Sequence, residues 1–200
     1  MRLKDYKLVF VAVGLIGVLL IATPALGVVL HLPGGEQFSE LYLLGPDHMA
    51  ENYPFNVAVG QNYTVYVGVT NHMGSSVYYT LYVKLRNETD LLPNSTAGTP
   101  SLVQPLYEYR FSIQDGRNWE SPFAFSINTA STSANQTTIN SMLIDNAVFD
   151  VNKPTALNST NSMYFYQLVF ELWMYNNQSN TMQFNNRFVD LQLNYTQVKQ

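Results

Sequence analysis

The 200-residue sequence contains no cysteine, so disulfides, thiolate metal sites and thiol nucleophiles are excluded, and folding must rest on packing and backbone pairing. Charge is scarce as well. Asp, Glu, Lys and Arg make up 12% of the chain, about half the usual share. The net charge is −4 with no long run of either sign, which argues against a nucleic-acid partner. The three histidines, His31, His48 and His72, stand far apart and in no metal-ligand spacing. Beyond residue 35 no segment repeats its apolar residues with a helical period.

Signatures of catalysis are missing too. No Gly-x-Ser-x-Gly turn, Ser-x-x-Lys pair or phosphate-binding glycine loop occurs. Asp145, Asp150 and Asp190 fit no EF-hand loop. Glu40, Glu108, Glu120 and Glu171 are the carboxylates available for glycoside hydrolysis, but Glu108 and Glu171 lie in alternating segments that should turn them to solvent opposite Arg or Lys. No enzyme is expected, and no cofactor or metal is implied.

Polarity comes instead from 20 Asn and 29 Ser plus Thr. These stay neutral and hydrated at any pH, a composition suited to an acidic exterior. Seven Asn-x-Ser/Thr triplets occur, at Asn62, Asn87, Asn94, Asn135, Asn158, Asn177 and Asn194, where about three would arise by chance in so Asn-rich a chain. Those in loop-like stretches, Asn87, Asn94, Asn135, Asn158 and Asn177, are the better N-glycan acceptors; Asn62 and Asn194 border strands.

At the N-terminus, residues 1–7 carry Arg2, Lys4 and Lys7, and Leu8 to Leu30 is a run of 23 residues without charge. As a helix it is about 34 Å long, enough to cross a hydrocarbon core of about 30 Å. Basic residues ahead of it place the N-terminus in the cytoplasm and residues 31–200 outside. All seven triplets lie on that outer side. The rival is a cleaved signal peptide ending at Ala25-Leu26-Gly27; the length of the apolar run favours a retained anchor in contact with membrane lipid.

Residues 31–200 read as one extracytoplasmic domain of alternating strands. Val77, Tyr79, Leu81, Val83 and Leu85 share one face, with Tyr78, Thr80, Tyr82 and Lys84 on the other. Val65, Val67 and Val69 alternate likewise, and the turn-rich residues 71–76 between the two runs suggest a β-hairpin. Further strands are expected at 38–44, 106–113, 123–127, 142–149, 164–175 and 184–194, with long loops at 87–104 and 129–140. The fold class is therefore all-β, an antiparallel immunoglobulin-like β-sandwich without the Cys and Trp signature of true immunoglobulin domains.

One strand is unusual. Residues 164–175 place aromatics on both faces, whereas a sandwich strand needs only one apolar face, so something should cover the second. Trp119, Phe165, Trp173 and Tyr175 are the candidate interaction surface, for a protein partner, a glycan or the chain's own packing.

The segments Ser39-Glu40-Leu41-Tyr42-Leu43-Leu44-Gly45-Pro46, Asn52-Tyr53-Pro54, Val67-Gly68-Val69-Thr70-Asn71-His72, Phe170-Glu171-Leu172-Trp173 and Arg187 to Asn194 resemble the ectodomain of an archaeal family of membrane proteins, domain of unknown function 1616, over about residues 36 to 196. The resemblance implies an archaeal source and an outer-surface address, with Asn71-His72 as a structural turn, and it supplies no catalytic residues. Longer relatives carry several membrane helices before this domain where this chain shows one, so no transport role carries over. The expected function is that of a single-pass, N-glycosylated accessory or structural subunit of a membrane complex or cell envelope. An envelope glycan-binding module and a filament subunit, which accepts a neighbour's strand at an exposed β-edge, are the alternatives.

Overall fold

The computed structural model describes residues 6–7, 9–18 and 36–197. Two units are distinguished, Met1–Gln37 and Phe38–Gln200. In the first, residues 9–18 are helical, and Val9, Phe10, Val11, Val13, Leu15, Ile16 and Val18 are 57–77% exposed. Among the described residues no helix is long and apolar enough to cross a membrane. The remainder of the Leu8 to Leu30 run, with Ala25-Leu26-Gly27, lies outside the described residues, as does His31.

The second unit is all-β. Its strands are β1 (Phe38–Leu44), β2 (Asn56–Val57), β3 (Tyr63–His72), β4 (Val77–Asn87), β5 (Tyr107–Ile113), β6 (Asn118–Ser133), β7 (Gln136–Ile144), β8 (Ala147–Asn158), β9 (Met163–Asn176) and β10 (Thr181–Tyr195). One layer runs β1-β3-β6-β7-β8 and the other β5-β4-β9-β10-β2. The end of β8 pairs Leu157 and Asn158 with β9, so the two layers form one curled sheet folded into a sandwich.

Alternation builds the core. Val65, Val67 and Val69 of β3, with Phe123, Phe125 and Ile127 of β6, face Tyr79, Leu81, Val83 and Leu85 of β4 and Leu168, Phe170 and Leu172 of β9, all essentially buried. Phe123 meets Phe170 edge to face across the layers at 5.1 Å. Each such side chain contributes about 1.5–3 kcal/mol of burial, so this double row of aliphatic and aromatic residues replaces the missing disulfides.

Three sequence expectations are corrected. β3 and β4 are not a hairpin: β3 pairs with β1 and β6, while β4 pairs with β5 and β9 in the other layer. Residues 71–76 therefore cross between layers, and Asn71 makes the corner. Its Nδ2 donates to the carbonyls of Ser75 (2.8 Å) and Ile113 (2.9 Å), and its Oδ1 accepts from Met73 N (2.9 Å) and Tyr79 Oη (3.2 Å). Second, residues 142–149 are not one strand but the close of β7 and the start of β8 around Asp145 and Asn146, whose φ of 46° and 66° make a two-residue hairpin turn. Third, residues 129–140 are not a loop. They form most of the β6–β7 hairpin, turning at Ala134 and Asn135.

Candidate functional site

The outer face of the second layer is built by the residues of β4, β9 and β10 that alternate away from the core. Along β9 these are Phe165, Gln167, Val169, Glu171, Trp173 and Tyr175, and in register beside them lie Arg86, Lys84, Tyr82 and Thr80 of β4. The segment 88–106 crosses this face and covers its middle. Glu171, expected in solvent, is 0% exposed.

Its carboxylate is fully engaged. Lys84 Nζ donates to Oε2 at 2.7 Å, Ser101 N to Oε1 at 2.8 Å and Trp173 Nε1 to Oε2 at 3.2 Å, while Lys84 Nζ also donates to the Ser101 carbonyl at 2.8 Å. Burial of a lone carboxylate would be prohibitive, and three donors including an ammonium make it tolerable. The same contacts fasten the covering segment. A second fastening runs through Arg86, which donates to the Asp90 carbonyl and to Gln167 Oε1, and Gln167 Nε2 passes the chain on to Asp190 Oδ2 at 2.7 Å.

Asp90 closes the segment's start through Lys153 Nζ at 2.8 Å. Burial disfavours its charged form, but the Lys153 bond, the Asn87 N–H and the Lys153 and Arg86 charges outweigh this and hold its carboxyl below the ordinary value. A lowered folded-state value means the stabilisation is complete above the unfolded carboxyl range, near about pH 4, and is lost as pH falls through the folded value. Asp90→Asn should therefore destabilise at neutral pH, with the gap to wild type closing towards about pH 2. Urea titrations across that range check it; a gap independent of pH would contradict the assignment.

Beyond the covering segment the outer face stays open and aromatic. Trp173 is half-buried, with Tyr82 edge-on at 5.6 Å and Phe184 of β10 tilted at 6.0 Å. Tyr78 and Tyr175 flank it, 41% and 37% exposed. The sandwich core does not need these rings, since the opposite faces of the same strands already fill it. The Glu171 carboxylate fixes the indole edge, so the platform is held rigid from below.

Against this geometry stand the relatives. The family described as Domain of unknown function (DUF1616) matches residues 32–166. The chain belongs to this family. Among curated proteins none matches the sequence. Among solved structures, the CARDB domain of the PF1109 protein from Pyrococcus furiosus, described in complex with di-metal ions, aligns with a TM-score of 0.40 and 11% identity over 82% of this chain and 98% of its own. A β-glucosidase from Listeria innocua aligns with a TM-score of 0.39 and 11% identity, over 80% of this chain but 16% of that enzyme. A chain of the human complex of Zinc 2-glycoprotein and Prolactin inducible protein aligns with a TM-score of 0.38 and 7% identity, over 82% of this chain and 99% of its own. At such scores none of them lends this DUF1616 member an activity or a ligand.

The four residues expected to share one surface do not. Trp173 and Tyr175 belong to the open platform, and Phe165 lies at the far end of β9 beyond the covered stretch. Trp119 projects between the layers, stacked on Phe111 at 3.9 Å. It is part of a clasp with Tyr109, whose hydroxyl donates to Asp145 Oδ2 at 2.8 Å and whose pKa is pushed up by burial and then by that carboxylate. Sequence alternation missed Tyr78, Tyr82 and Phe184 as members of the platform, although their outward parity was visible.

Of the triplets, Asn62, Asn94, Asn135 and Asn177 are exposed. Asn87, Asn158 and Asn194 are half-buried, their amides donating to the Pro154 carbonyl, Glu88 Oε1 and Asn56 Oδ1. The remaining carboxylates do not converge. Glu40 pairs with His72 at 3.9 Å, Glu120 with His48 at 2.9 Å and Glu108 with Arg110 at 2.7 Å. Among the described residues no group of three or more His, Asp or Glu side chains is placed to hold a metal ion. An open groove of about 690 Å³ lies where Tyr53 and Phe55 run past Phe188 and Leu191.

Proposed function

We propose that this chain is a single-pass, N-glycosylated, extracytoplasmic accessory subunit of a membrane complex or cell envelope, whose immunoglobulin-like sandwich docks on a partner protein through the Trp173 platform. One observation carries this: a rigid cluster of half-exposed rings on a sheet face that the fold's own core does not use. Aromatic enrichment with sparse charge is what protein interfaces display. The anchor is the apolar run from Leu8 to Leu30, which contacts membrane lipid with the N-terminus in the cytoplasm. In support, the apolar side chains of residues 9–18 stand exposed. N-linked glycans on the exposed triplets and an archaeal cell surface belong to the same proposal, as does the expectation that the protein is not an enzyme.

Gentle detergent extraction of the native membrane, followed by native gel and mass spectrometry, tests the docking. A co-migrating partner that is lost from Trp173→Ala protein is expected, with unfolding of that variant shifted only modestly because the ring is half-buried. A lone monomer in native membranes would defeat it. The platform suits a second reading, because a ring flanked by tyrosines also stacks on sugars. Glycan-array binding abolished by Trp173→Ala, with no protein partner recovered, would favour an envelope glycan instead.

A further inference from the structure

A bare strand edge is a template for another strand, and folded proteins shield theirs with plugs, bulges, prolines and lysines. Most free edges of this curled sheet are shielded. At β1, Arg187 Nε donates to the Ser39 carbonyl at 3.2 Å and Tyr53 Oη to the Leu43 carbonyl at 2.7 Å, filling edge positions with side chains. Along β8 the left-handed Asn152 (φ 47°) is followed by Lys153 and Pro154. Along β10 the register breaks between Phe184 and Arg187, with Asn186 left-handed at 60°.

The exception is β5. Its residues Tyr107–Ile113 contain no glycine, proline or lysine, and they pair with β4 in unbroken register on one side. Among the described residues no strand pairs with the other side. Its two charges, Glu108 and Arg110, sit two apart on the exposed face and neutralise each other at 2.7 Å. An edge this flat and neutral is not protected against pairing.

We propose that β5 is a self-association site, where two copies join edge to edge, antiparallel, about a two-fold axis through Tyr109. That register sets Glu108 opposite the second copy's Arg110 twice over, closing a square of four alternating charges. On the other face Tyr107 comes opposite the second copy's Phe111. Moving the axis to Glu108 or Arg110 would set a like charge against itself, which destabilises a cross-strand pair. The charge pattern therefore selects both the partner, a second copy, and the register. A single strand pair is a small interface with weak affinity, so the pairing gains most when chains are concentrated on one surface.

Charge swapping tests it on the full-length chain in detergent, followed by sedimentation over a concentration series. Wild type should dimerise reversibly. Glu108→Arg alone and Arg110→Glu alone should each weaken the dimer about tenfold or more, because like charges then face each other. An equimolar mixture of the two variants should regain wild-type affinity, since every cross-strand pair is again opposite in sign. Folding defects cannot produce that rescue. As a second measurement, the cysteine-free sequence allows Glu108→Cys and Arg110→Cys chains to be mixed under mild oxidation, and the mixed pair should cross-link faster than either variant with itself. A wild type that stays monomeric throughout the series, or single reversals that dimerise like wild type, would overturn the proposal. Trp173→Ala should leave dimerisation unchanged, which separates this site from the docking platform.

Discussion

Glu171→Leu should lower the unfolding free energy by about 3–5 kcal/mol, because it strands the Lys84 ammonium in a covered site without its counter-ion. Lys84 and Glu171 are 5% and 0% exposed at the side chain, so water cannot compensate for the loss. The double change Lys84→Met with Glu171→Leu should recover most of the difference, since replacing both ions by apolar groups of similar volume removes the desolvation cost along with the attraction. Urea unfolding of the three proteins measures this coupling. A double variant no more stable than Glu171→Leu would show that the pair is not what makes the single change costly. The same variants should also loosen the segment 88–106, because Glu171→Leu removes the acceptor of the Ser101 N–H and the double change also removes the Lys84 donor to the Ser101 carbonyl. Hydrogen exchange within that segment should rise in Glu171→Leu more than in the core strands, as expected of a local opening.

Asn71→Ala is the second large effect. Asn71 is 0% exposed, and besides its side-chain bonds its own N–H donates to the Arg117 carbonyl at 3.0 Å while its carbonyl accepts from Gly116 N at 2.7 Å. Truncation leaves the Ser75 and Ile113 carbonyls and the Met73 N–H without their partner, at about 1–3 kcal/mol for each buried group left unsatisfied. A loss of about 3–5 kcal/mol is therefore expected. Asn71→Asp should be no milder, because it keeps the acceptor but sets a carboxylate against two carbonyl oxygens. Denaturant titration decides it; a loss under about 1 kcal/mol for either variant would mean the corner is solvated.

β1, β5, β9 and β10 fall within a few residues of their expected limits, because each is a run rich in aromatic and branched residues bounded by turn-forming ones. The failures share a cause. Asp145-Asn146 is a complete hairpin turn made of residues that tolerate the left-handed region, yet the apolar residues on either side read as one continuous strand. The β6–β7 hairpin is rich in Ser and Thr on both faces near its tip, a polarity that in sequence looks the same as a loop's. Residues 71–76 look like any hairpin turn, and only the bonds of Asn71 reveal a crossing between layers.

For the site, outward parity was legible and cover was not. Alternation put Glu171, Trp173 and Tyr175 on one face correctly, and it also predicted solvent around Glu171. The segment that excludes solvent arrives from 70 residues away in sequence through Ser101. Trp119 shows the converse: nothing local distinguishes an outward tryptophan from one that stacks between layers.

Composition and alternation suffice for the all-β character, the two faces of β3 and β4, and the exclusion of every chemistry that needs a thiol. Period-two alternation and composition are local properties, and they settle local questions. Strand partners, the burial of Lys84 and Glu171, the openness of the Trp173 platform and the bare edge of β5 were decided only by tertiary structure. Pairing and cover depend on which distant segments close against one another, and backbone hydrogen bonds carry no residue-specific label by which one strand names its neighbour.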